Sequence, residues 1–91
     1  MDLSEIRQQI DAIDQELVKC FVKRKDLSAQ VAKYKKEHNL PIYVPERELQ
    51  VLEKVAAQAG SDMSDYIKSL YISLFEVSKA YQAARNNEVI E

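Results

Sequence analysis

The chain has 91 residues with one glycine, two prolines and no low-complexity tract, which leaves room for one domain over 1–91 and for neither a linker nor a second folding unit. Hydrophobic residues at 46% and charged ones at 31% exclude a disordered chain and fit amphipathic helices around a small core. A net charge of -2 argues against general nucleic-acid binding, yet residues 23–36 hold Lys23, Arg24, Lys25, Lys33, Lys35 and Lys36 against Asp26 alone, a local positive charge suited to a small anion.

The first element starts near Asp2, whose side chain can cap a helix with Glu5 three residues on, and nothing interrupts it before about His38. Apolar residues recur at Leu3, Ile6, Ile10, Ile13, Leu17, Cys20, Leu27, Val31 and Tyr34, the alternating three-and-four spacing of one helix face. Some 35 residues at 1.5 Å each make a rod of ~52 Å, whereas a compact chain of this length has a radius of gyration of only ~12 Å. The rod overshoots any monomeric core, so its stripe needs cover along its whole length. A homodimer in which this helix packs on its copy is expected, parallel or antiparallel. Cys20 falls on the stripe as a small buried hydrophobe would, and a lone cysteine makes no intrachain disulfide.

Asn39, Leu40 and Pro41 break the pattern. Pro45 then suits the first turn of a second helix, with Glu46 and Glu48 at the positive end of its dipole. That helix carries Glu48, Val51, Leu52, Val55 and Ala56 on one face and stops between Gln58 and Gly60. Ser61, Asp62 and Ser64 are N-cap candidates for a third helix, from Met63 or Ser64 to Arg85. Its apolar face is Ile67, Leu70, Tyr71, Leu74, Phe75, Val77 and Tyr81; the stretch from Asn86 to Glu91 is expected to fray. The fold class is therefore all-α, three helices per chain.

Five polar side chains intrude on faces that should be dry: Arg24, Lys35, Glu48, Ser78 and Gln82. Arg24 and Lys35 lie eleven residues apart, about three turns and ~16 Å along nearly one line, so together they could clasp a small dianion. Taken singly, each also admits a plain role as an ion pair or a solvated charge. Arg7 flanks the stripe ~25 Å from Arg24 along the rod, so it reaches the same site only from another chain. Arg47 opens the second helix beside Glu48, where a surface ion pair is the simple alternative. His38 suits a helix end better than a base. No catalytic triad, Gly-rich phosphate loop or metal-ligand cluster is present in the sequence, so no metal and no cofactor is expected.

The order and spacing of these residues resemble the all-helical, intertwined-dimer chorismate mutases. The likeness covers residues 3–85 and rests on Ile6, Arg7, Ile10, Asp11, Ile13, Asp14 and Leu17, then Lys23 to Lys25 with Leu27, then Val31, Tyr34 and Lys35. It continues through Pro41 to Pro45 with Arg47 and Glu48, and ends on Ser78 and Gln82. The resemblance implies a rearrangement of chorismate to prephenate in phenylalanine and tyrosine biosynthesis, with no nucleophile, metal or cofactor. Arg24, and Arg7 from the partner, would bind the two carboxylates; Lys35 would contact the ether oxygen and a carboxylate. Gln82 would hydrogen-bond the ether oxygen, Ser78 assist a carboxylate, Glu48 hold the ring hydroxyl and Arg47 support the anion site. One position departs: members often carry an acid four residues before the helix-2 glutamate, and here it is Val44.

Two other readings fit parts of the pattern. An isochorismate-pyruvate lyase shares this fold and most of the cationic site, but Glu48 and Ser78 favour the mutase. A non-catalytic helical dimer that binds a partner protein accounts for the long helix and leaves the aligned polar intrusions without a purpose. With no basic n-region before an apolar run and no long uncharged apolar segment, a cytoplasmic protein without a membrane segment is expected.

Overall fold

A computed structural model describes residues 1–87. It holds three helices, α1 (Leu3–Glu37), α2 (Pro45–Ala59) and α3 (Ser64–Asn86). The long rod forms as its period requires. Asp2 caps it by accepting the Glu5 amide at 2.8 Å. It ends on a Schellman arrangement: Asn39 takes the left-handed conformation at φ 55, and the Leu40 amide reaches back to the Lys35 carbonyl at 2.8 Å. His38 is the C-cap residue, its ring stacked on Tyr34 and its Nδ1 2.8 Å from the Tyr34 carbonyl, as a helix-end role requires.

Val44 is the N-cap of α2, with Pro45 in the first turn, and Gly60 terminates the helix at φ 88, a conformation that side chains other than glycine's resist. The helix α3 starts at Ser64, as expected, but its N-cap differs from the candidates. Met63 is its N-cap and supplies no side-chain bond, because Gly60–Met63 already closes a turn through the Met63 amide and the Gly60 carbonyl at 3.1 Å. Ser64 turns its hydroxyl back to the Ser61 carbonyl. At the other end α3 continues to Asn86, one residue past the expected stop. Asn86 is buried rather than frayed, since its side chain donates to the Ala32 carbonyl at 2.7 Å. Of the stretch expected to fray, 88–91 lie outside the described residues.

The helix α3 is the centre of the arrangement and packs against both others. Its pairs with α1, Ser28 with Ser78 and Gln82, then Ala32 with Asn86, advance together, so the two helices run in the same direction. Small side chains at Ser28, Ala32 and Ala83 let the backbones approach. Among the described residues no large side chain is fully buried; the apolar core is Ala32, Val55, Phe75 and Ala83.

What is left uncovered is the stripe of α1. Residues 1–23 are exposed without exception, with Ile13 at 60% and Leu17 at 59%, and Leu27, Val31 and Tyr34 continue the exposed line. Cys20, expected as a buried hydrophobe, is exposed for the same reason. The radius of gyration is 16.1 Å and the long axis 54 Å, well past the ~12 Å radius of a compact chain. On α3, Leu70 and Val77 are likewise exposed, while Gln82 of the same helix is buried. Among the described residues no helix is long and apolar enough to cross a membrane.

Candidate active site

Where the second half of α1, the start of α2 and the second half of α3 converge, they enclose a cleft of about 430 Å³. From α1 come Arg24, Ser28 and Lys35, from α2 Arg47 and Glu48, and from α3 Ser78, Lys79 and Gln82. Leu27, Val31, Val51 and Phe75 give it apolar walls, and Ile42 and Val44 of the connecting segment close one side. Six of the seven residues singled out from the sequence thus face one space. Arg7 does not line it; it lies on the exposed first half of α1.

Four cations, Arg24, Lys35, Arg47 and Lys79, surround one carboxylate, Glu48. Their partners differ. Among the described residues no carboxylate lies within ion-pair distance of Arg24, Lys35 or Arg47. Arg47 donates to Gln50 at 2.9 Å instead of pairing with its neighbour Glu48. Lys35 donates to the Ile42 carbonyl at 2.8 Å, and burial holds its pKa below the ordinary lysine value. Glu48 is taken by Lys79 at 3.1 Å. A cleft lined this way has unspent positive charge and suits an anion.

Behind the cations runs a hydrogen-bond chain. Gln82 Nε2 donates to Ser28 Oγ at 2.9 Å, and Ser28 Oγ lies 2.9 Å from Ser78 Oγ. Gln82 is only 8% exposed, and its Oε1 is buried with no partner among the described residues. A buried carbonyl oxygen left unpaired is costly. Half a turn of the amide makes that position a donor: Oε1 then accepts the Ser28 proton, and the NH₂ group stands unpaired where Oε1 was, needing an acceptor that a ligand oxygen can supply. Lys79 and Ser28 escaped the sequence reading. Ser28 could have been found, because it sits one turn after Arg24 on the line to Lys35. Lys79 could not, since its place on α3 beside the apolar face gives no hint that α2 brings Glu48 to it.

Comparison with known proteins adds the family. The sequence profile described as chorismate mutase type II matches residues 6–83, which include every residue of the cleft and Arg7. The chain belongs to the chorismate mutase type II family. It is 40% identical over 70 residues, 75% of its length, to the T-protein of Haemophilus influenzae, of which the match takes in only 19%. It is 28% identical to the chorismate mutase of Methanocaldococcus jannaschii, covering 98% of this chain and 88% of that one. A 4-amino-4-deoxychorismate mutase of Streptomyces venezuelae is 30% identical over 84% of this chain and 72% of its own length. The chain therefore spans a fifth or less of the T-protein and most of the other two. No solved structure matches it. Glu48 and, four residues before it, the apolar Val44 both line the cleft.

Proposed function

We propose that the chain catalyses the rearrangement of chorismate to prephenate, a step of aromatic amino-acid synthesis expected in the cytoplasm, and that it does so as a homodimer. The observation that carries this reading is the cleft's set of cations without acid partners among the described residues, Arg24, Lys35 and Arg47, in one cleft with the buried amide of Gln82. A pericyclic shift within one molecule needs no nucleophile and gains from two things a protein can supply. One is holding the enolpyruvyl arm folded over the ring. The other is stabilising the negative charge that grows on the ether oxygen as the C–O bond breaks.

In this reading Arg24 binds one carboxylate through paired N–H groups, with Ser78 assisting and Arg47 adding its charge nearby. Lys35 and the turned amide of Gln82 donate to the ether oxygen. Lys35 has N–H groups to spare beyond the one given to Ile42, and partial burial strengthens what its charge does. Glu48 accepts from the ring hydroxyl through the oxygen that Lys79 leaves free. The second carboxylate calls for Arg7, ~25 Å from Arg24 along one helix and so supplied by a partner. Antiparallel α1 helices crossing near Gln15 and Glu16 bring the partner's Arg7 level with Arg24. The same crossing covers the exposed stripe.

The test is the loss of chorismate absorbance on mixing with purified protein, with prephenate identified as product. Turnover of isochorismate alone would replace the mutase by a lyase, and turnover of neither would leave a binding module. Mixing inactive Arg7→Ala and Arg24→Ala proteins should restore part of the activity, because a heterodimer has one intact site. If subunits exchange and nothing is restored, the shared site is refuted.

A further inference from the structure

Lys79 is unlike the other three cations of the cleft. Its side chain is 14% exposed and held from three directions: by Glu48 at 3.1 Å, by Glu76 at 2.9 Å, and by the ring of Tyr43 with the ammonium 4.4 Å from its centroid. Glu76 is its neighbour on α3, Glu48 opens α2, and Tyr43 belongs to the connecting segment. The ammonium thus ties together the three parts of the wall around Glu48. Its charge is answered inside the protein, so it is poorly placed to be another ligand for a substrate carboxylate.

Two consequences follow for Glu48. With Oε2 bound to Lys79, the carboxylate is held in one orientation and Oε1 is its unengaged oxygen, the better acceptor for a ligand. With Val44 apolar, no second acid on that wall shares the task. A free glutamate in the first turn of a helix would sample several rotamers; this one is pre-ordered, which lowers the entropic cost of binding. The second consequence is electrostatic. A group bonded to Oε1 sits a few ångströms from a fixed ammonium, on a carboxylate whose charge is already answered. A neutral hydroxyl tolerates that neighbour, whereas an ammonium is repelled by it and gains less from the carboxylate.

We propose that Lys79 is a positioning and specificity-determining residue: it holds Glu48 in place and restricts the substrate's ring substituent to a neutral hydroxyl, excluding a protonated amine. This rests on the reading above that Glu48 accepts from the ring hydroxyl. It bears on a real choice, because a relative is named for the 4-amino-4-deoxy compound, whose aliphatic amine is protonated near neutral pH.

The experiment measures kcat and KM for chorismate and for 4-amino-4-deoxychorismate with the unmodified protein, Lys79→Met and Lys79→Arg, with folding checked by circular dichroism. Lys79→Met keeps the unbranched stem of the side chain, one atom shorter, and removes the charge. It should raise KM for chorismate several-fold with little change in kcat, and shift the kcat/KM ratio of the two substrates towards the amine by about tenfold or more, the scale of one like-charge contact removed. Lys79→Arg should keep the original preference. A merely structural lysine would alter both substrates alike. If Lys79→Met does not fold, Lys79→Gln is judged by the same ratio. An unchanged ratio in a protein that turns over chorismate overturns the role of Lys79 alone, as does an unmodified protein that prefers the amine. Turnover of neither compound by the unmodified protein overturns the mutase reading, and this inference with it.

Discussion

The two faces of α1 are the instructive comparison. The apolar stripe, Ile6, Ile10, Ile13 and Leu17 running on to Leu27 and Val31 at the edge of the cleft, is exposed; Ser28 and Ala32, each one residue further on, and Lys35 lie where the chain packs. A helix of a monomeric globule has the opposite arrangement, apolar side in and polar side out. Here the intrachain contact goes to small and polar residues, because α3 meets α1 about one residue's rotation, ~100°, away from the stripe. The hydrophobic face is thereby left uncovered by this chain. The polar face is turned to a cleft where charge has a use.

The apolar face gives the largest expected effect. Leu17→Asp puts a charge at the middle of the rod, and in a two-fold dimer each substitution counts twice. At about 2–5 kcal/mol for each lost large side chain, dissociation should be easier by about 10³-fold or more. Sedimentation should then show monomers, and chorismate turnover should vanish at assay concentrations. A Leu17→Asp protein that stays in the same assembly and remains active would show that the stripe is not an interface.

The polar face is tested at Lys35. A developing negative charge in a half-buried cleft gains most from a cation, so Lys35→Ala should lower kcat by about 10²–10³ and leave the assembly unchanged. The pH dependence follows from the direction of its shift. In the proposed role Lys35 acts as the protonated amine, and desolvation holds its pKa below the ordinary 10.5, so kcat should be present at neutral pH and lost on the alkaline side at a pH below 10.5. Lys35→Arg, where it is active, should move that limb upward. A rate that falls between about pH 5 and 8 would instead show that a group other than Lys35 governs the reaction.

Ser78→Ala is the mildest of the three. In the proposed role the hydroxyl meets a carboxylate already charged in the ground state, and the Gln82 to Ser28 bond does not depend on it. The cost should appear in KM, by roughly 1 to 2 kcal/mol, with kcat nearly unchanged. Should Ser78→Ala abolish kcat while Lys35→Ala raises only KM, the roles given to the two residues are reversed.

Much of this was written in local sequence. The 3.6-residue period, Asp2 before the first turn, Asn39, Pro45 and Gly60 specify where helices start and stop, because caps and breakers act on their own neighbours. The polar intrusions at Arg24, Lys35, Glu48, Ser78 and Gln82 were visible as breaks in that period, and all five line the cleft. The start of α3 at Ser64 was legible as well, but its N-cap was not, because the polar candidates Ser61, Asp62 and Ser64 flank a turn that the backbone closes by itself.

Tertiary structure alone decided the rest. Periodicity tells which residues share a face, not which face meets which helix, so it could not show that α3 would bury Ser28 and Ala32 and leave Leu27 and Val31 exposed. The Gln82–Ser28–Ser78 chain joins residues 50 and 54 positions apart, and the hold of Lys79 on Glu48 joins α3 to α2. Such pairs depend on the angle at which whole helices cross. That angle is set by the size of side chains on both helices together, a quantity that no single stretch of the chain contains.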